Sequence, residues 1–147
     1  AEVVEADVLA WSADGSNAGR FDAVLLDAPC TATGTLRRHP DVAQLKRPGD
    51  VPNLAALQAQ LLRAAAGLLA PGGRLVFATC SLQPEEGEAH LAAAEALGLT
   101  RDPVRPDEVP GLAEAVTPAG VLRTRPDLWA ERGGVDGFFA VRFRAAR

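Results

Sequence analysis

Short apolar runs, each closed by a polar or reactive residue, alternate along this chain with stretches in which apolar residues recur every three or four positions. Val3 to Ala6 and Ala23 to Leu26 read as short buried strands, ended by Asp7 and Asp27. From Leu54 onward, Leu57, Leu61, Ala65 and Leu68 fall on one face of a helix. Asn53 is its expected cap and Pro71-Gly72-Gly73 its end. A strand from Arg74 to Thr79 follows. Pro84-Glu85-Glu86 then opens a second helix, with proline in the first turn and two acids at the positive end of the helix dipole. That helix runs to about Leu97, with Gly98 as its stop. Residues 102–127 hold most of the remaining prolines and read as connection with one irregular strand, and Phe138 to Phe143 reads as a closing strand. The alternation of strand and helix predicts an α/β fold.

The 147 residues, 48% of them hydrophobic, suit one modest domain with its own core. The apolar runs are too short to span a bilayer, and the acidic opening Ala1–Asp7 has no basic region. The expectation is a cytoplasmic protein with no membrane partner. Two cysteines far apart, without C-x-x-C spacing, argue against a zinc site or a disulfide framework, so free thiols and no metal are expected.

Candidate chemistry gathers where two of the runs stop. Asp27-Ala28-Pro29-Cys30 follows one strand and Ala78-Thr79-Cys80-Ser81 the other. In an open α/β sheet, ligands collect at the carboxyl ends of the strands, so a carboxylate and two thiols are expected to meet in one site. The bland readings are buried structural cysteines, and aspartates that only form turns or helix caps. Two cysteines in these contexts favour the functional reading. His39 and His90 are poor candidates for a protease-like base, because His90 falls inside a helix and no oxyanion motif accompanies it. The net charge of −4 opposes general affinity for nucleic acid, yet Arg37, Arg38, Lys46 and Arg47 form a local basic patch after the first motif.

Taken in order, Asp27-Ala28-Pro29-Cys30-Thr31-Ala32-Thr33-Gly34, Arg37-Arg38-His39-Pro40-Asp41, Ala78-Thr79-Cys80-Ser81 with Pro84-Glu85-Glu86, and Asp136-Gly137-Phe138-Phe139 resemble the bacterial Sun/Fmu (RsmB) type of ribosomal RNA cytosine methyltransferases. The resemblance covers nearly the whole chain. It implies a Rossmann-like methyltransferase sheet, S-adenosylmethionine as cofactor, and methyl transfer to carbon 5 of a cytosine in ribosomal RNA. By resemblance Cys80 is the nucleophile that adds to ring carbon 6, and Cys30 helps release the methylated base. Asp27 faces the polar edge of the cytosine and lies near the cofactor, while Asp7 contacts the adenine end. Arg37, Arg38, Lys46 and Arg47 are placed to hold the RNA backbone beside an unstacked base.

The resemblance also implies a glycine-rich cofactor turn after a first strand, an acidic residue after a second, and an N-terminal RNA-binding domain. None of these lies within residues 1–147. The expectation is therefore the C-terminal portion of a catalytic domain, with an incomplete sheet, weak or no cofactor binding alone, and self-association through open sheet edges. Two rival readings stay open: part of a DNA cytosine methyltransferase with Cys30 as nucleophile, and a noncatalytic RNA-binding remnant.

Overall fold

A computed structural model describes residues 1–147. The expected open α/β sheet is present and has five strands. Strand β1 spans Phe21–Asp27, β2 Leu69–Thr79, β3 Thr100–Arg101, β4 Leu122–Thr124 and β5 Phe138–Arg144. Helix α1 covers Val8–Ser12, α2 Val42–Leu45, α3 Asp50–Leu68 and α4 His90–Ala96. The sheet order is β1-β2-β5-β3, with β4 also paired to β5. Strands β1 and β2 are parallel and joined by the α3 crossover, while β5 runs antiparallel to β2, β3 and β4. Because β1 and β2 run the same way, their carboxyl ends leave the sheet at one edge, with Asp27 opposite Ala78. That pairing positions the site.

The core lies where α3 and α4 pack on the sheet. Leu62, Leu75, Phe77, Phe139 and Phe143 are its most deeply buried large side chains. Phe77 meets the His90 ring edge-on at 5.1 Å and the Phe139 ring at 6.3 Å. Burial on this scale is the main favourable contribution to folding, at about 25 cal/mol per Å² of apolar surface.

Several local expectations need correction. Val3 to Ala6 is not a strand: Val3 is 91% exposed, and residues 1–6 make no backbone hydrogen bond. A strand forms only against a neighbour, and β1 pairs solely with β2. Helix α3 begins at Asp50 rather than at an Asn53 cap, and Asp50 accepts the Arg47 amide at 2.8 Å. Strand β2 begins directly after α3 at Leu69, and Pro71-Gly72-Gly73 forms an irregularity inside it, between the Phe21–Leu69 and Ala23–Arg74 pairs. Gly72 takes φ of +74° there, which suits a residue without Cβ.

The second helix is also divided. Pro84–Glu86 is a single 3-10 turn, and α4 starts only at His90. The Glu86 carbonyl accepts the Thr79 hydroxyl at 3.1 Å instead of a helical amide, and Gly87 lies against the Phe139 ring. Chain packing overrides the helical spacing at this point. The proline-rich connection does carry one short strand, β4, and β3, which the spacing did not predict, lies just ahead of it.

Candidate active site

The loop after β1 and the loop after β2 bring the two cysteines together. Their Sγ atoms are 3.4 Å apart, both residues are half-buried, and neither is in a disulfide. Burial pushes the Cys30 thiol up to about 12; the Ala32 amide opposes this and the neighbouring Cys80 sulfur adds to it. Burial thus keeps the proton on Cys30, and across the 3.4 Å contact either sulfur can donate to the other. Asp27 is exposed at the end of β1, three residues before Cys30, and none of its carboxylate oxygens accepts a hydrogen bond within the protein. Those oxygens are open to a ligand.

Hydrogen bonds stitch the motif segments together. The Ala28 amide donates to the Ala78 carbonyl at 2.9 Å, Gly34 to Cys80 at 2.9 Å, and Gly137 to Gly34 at 2.8 Å. Arg123, in β4, donates to the Ser81 carbonyl at 2.6 Å, pairs with Glu88, and lies over the Phe139 ring at 4.8 Å. The sequence motifs near residues 30, 80 and 137 are therefore one structural unit.

Other expected residues stand around it. Asp7 caps α1, its Oδ1 accepting the Ala10 amide at 2.9 Å, which leaves its second oxygen unengaged. Arg37 and Arg38 are exposed and share one carboxylate, with Arg37 Nε 3.0 Å from Asp136 Oδ1 and Arg38 Nε 2.7 Å from Oδ2. The pairing holds Asp136 below the usual carboxylate range. Lys46 and Arg47 form no ion pair and line an open cavity of about 500 Å³ with Thr31, Thr33, Leu36 and Gln83. His39 is exposed, and His90 Nε2 lies 2.9 Å from Gln58 Oε1, so neither histidine serves a thiol. No group of three or more His, Cys, Asp and Glu side chains gathers to hold a metal ion.

Sequence reasoning missed the buried polar centre beneath the thiols. Glu86, expected to favour a helix dipole, turns inward and is fully buried. It accepts the Ser81 hydroxyl at 2.6 Å, the Thr31 hydroxyl at 2.5 Å, the Thr31 amide at 3.0 Å and Gln58 Nε2 at 3.2 Å. One signal was available: Gln58 falls in phase with Leu61, Leu62 and Ala65 on the buried face of α3, and a polar residue there needs a partner.

The sequence profile of the 16S rRNA methyltransferase RsmB/F family matches residues 1–144. The chain belongs to this family. Ribosomal RNA small subunit methyltransferase B of Klebsiella pneumoniae subsp. pneumoniae is 48% identical over 103 residues, which are 65% of this chain and 24% of that protein. The protein of the same description from Sodalis glossinidius is 56% identical over 73 residues, 50% of this chain and 17% of its own length. The matched stretch thus spans about a quarter or less of these curated relatives. Among solved structures, NSun6 from Pyrococcus horikoshii with SFG superposes at a TM-score of 0.78 and 25% identity, over 99% of this chain and 35% of that one. A methyltransferase homolog protein from the same organism gives 0.61 and 30%, over 86% and 39%. In RsmB/F terms, the paired thiols sit on the methyltransferase sheet at the edge where β1 and β2 both end.

Proposed function

We propose that residues 1–147 supply the two thiols and the flanking carboxylates of an enzyme that methylates carbon 5 of a cytosine in ribosomal RNA. The observation that carries this reading is the pair of Sγ atoms 3.4 Å apart at the ends of adjacent parallel strands. Family membership supports the reaction class.

Carbon 5 of cytosine is a weak nucleophile, so the ring must first be activated. Cys80 adds its thiolate to ring carbon 6, which moves the double-bond electrons toward carbon 5. Once Cys80 is a thiolate, the protonated Cys30 thiol 3.4 Å away donates to it and stabilises its negative charge before attack. Asp27 accepts from the polar edge of the ring and orients it against Cys80. S-adenosylmethionine, when bound, supplies the methyl group. Asp27, with both oxygens open, and Asp7, with one, fit an amine- and hydroxyl-bearing cofactor of this kind and would hold it. After transfer, carbon 5 gives its proton to solvent water at the open site, the electrons of that bond form the ring double bond as the sulfur–carbon bond breaks, and Cys30 donates to the departing Cys80 thiolate. Lys46, Arg47, Arg37 and Arg38 hold the strand on either side of the unstacked base.

The test is methylation of small-subunit ribosomal RNA by the enzyme containing these residues, followed by nucleoside analysis. The expected product is 5-methylcytidine, absent with Cys80→Ser. Methylation at another atom, or full activity in Cys80→Ser, overturns the reading.

A further inference from the structure

Glu86 touches residues on both sides of both cysteines, directly or through one side chain. Ahead of Cys80, the Thr79 hydroxyl donates to the Glu86 carbonyl at 3.1 Å; after it, the Ser81 hydroxyl donates to the Glu86 carboxylate at 2.6 Å. After Cys30, Thr31 donates both its amide and its hydroxyl to the carboxylate. Ahead of Cys30, Gln58 Nε2 donates to the Pro29 carbonyl at 2.8 Å and, at 3.2 Å, to Glu86. Gln58 is fixed in turn, since its Oε1 accepts from His90 Nε2 at 2.9 Å, which places the imidazole proton on that nitrogen. Burial holds His90 below its ordinary value, with Glu86 opposing, so the ring is neutral.

Thr31, Gln58, Thr79, Ser81 and Glu86 are all at most 1% exposed. A buried carboxylate is costly unless donors surround it, and here every donor belongs to a residue beside a cysteine or to the side chain that grips one. An apolar residue at this position would leave the buried Thr31 amide and the Thr31 and Ser81 hydroxyls without this acceptor, so the carboxylate and the two loops hold one another. We propose that Glu86 is a positioning residue, clamping the Pro-Cys and Thr-Cys loops so that the two thiols stay within proton-sharing distance. The consequence for catalysis rests on the proposed methyl transfer, whereas the clamp itself does not.

The clamp is tested with phenylarsine oxide, which condenses with two adjacent thiols, forming two arsenic–sulfur bonds and releasing one water. The wild type is expected to bind it tightly and stoichiometrically. Glu86→Gln puts an amide N–H where donors already point, and its affinity is expected to fall at least tenfold. Should that variant fail to fold, Ser81→Ala removes one tie only, and a fall of about threefold with unchanged far-UV circular dichroism is expected. In methylation assays, kcat is expected to fall in these variants while KM for RNA holds. Arsenical affinity as in the wild type, in folded Glu86→Gln or in Ser81→Ala, overturns the clamp, and so does a wild type that binds no arsenical. An enzyme without RNA methylation, but with arsenical binding that depends on Glu86, supports the clamp and refutes the proposed reaction instead.

Discussion

The amide of Gly34 donates to the carbonyl of Cys80 at 2.9 Å, and a Cβ at Gly34 would stand only 2.7 Å from that oxygen and 2.0 Å from the carbonyl oxygen of Gly137. Both obstacles are backbone, so neither can rotate away. Gly34→Ala is therefore expected to destabilise the fold by about 3 kcal/mol, toward the upper end for overpacking, and to separate the loops that carry the thiols. Urea unfolding of the variant checks this, and a loss below about 1 kcal/mol would show that the loops have room to part.

Cys30 should ionise late. With burial holding its thiol up to about 12 against an ordinary value of 9.0, the folded protein keeps a proton that the unfolded chain has already lost between those pH values. The unfolded state then binds fewer protons, so stability falls as pH rises from about 9 toward 12, and is unaffected by this group below 9. In Cys80→Ser, where Cys30 is the sole thiol, iodoacetamide labelling is expected to keep accelerating above pH 9. A plateau near pH 9 would contradict the burial.

Cys30→Ala removes the thiol that lies 3.4 Å from the Cys80 sulfur. Expulsion of that sulfur from the methylated ring is expected to slow more than its addition, so a covalent protein–RNA complex accumulates. Denaturing gel electrophoresis after reaction would show it as a shifted band absent in Cys80→Ser and in the double variant.

The two halves of the basic patch should behave differently. Arg37 and Arg38 share Asp136, whereas the side chains of Lys46 and Arg47 are in no ion pair. Removing Lys46 and Arg47 together is expected to flatten the dependence of log Kd on log salt by about 1.4 for a single-stranded RNA, from a value of about 0.7 per contact. Removing Arg37 and Arg38 is expected to change it by less, because the loss also frees a carboxylate. Equal changes would mean that the Asp136 pairing opens on binding.

Much of this arrangement was legible in the chain. Cys30 and Cys80 each follow a strand ending in a reactive motif, and parallel strands joined by a helix bring such ends to one edge. The long helix was clear because Leu61, Ala65 and Leu68 repeat over several turns. Other features depended on partners that spacing does not reveal. Val3 to Ala6 has strand-forming residues but nothing to pair with, and β1 itself leaves Leu25 72% exposed. Glu86 looked like one of two acids opening a helix, and contacts with Ser81 and with Thr31 and Gln58, the latter two 55 and 28 residues away, give it a buried role. Asp7 read equally as a cap or a ligand, and the capping bond to Ala10 accounts for just one of its oxygens.

The central claim is that Cys80, rather than Cys30, attacks the ring. RNA carrying 5-fluorocytosine at the target position blocks loss of the substituent at carbon 5 and so preserves the covalent intermediate. Digestion of the trapped complex and mass mapping of the modified peptide decide between the thiols. The account predicts the adduct on Cys80 alone; an adduct on Cys30, or none in an enzyme that still methylates ordinary RNA, would contradict it.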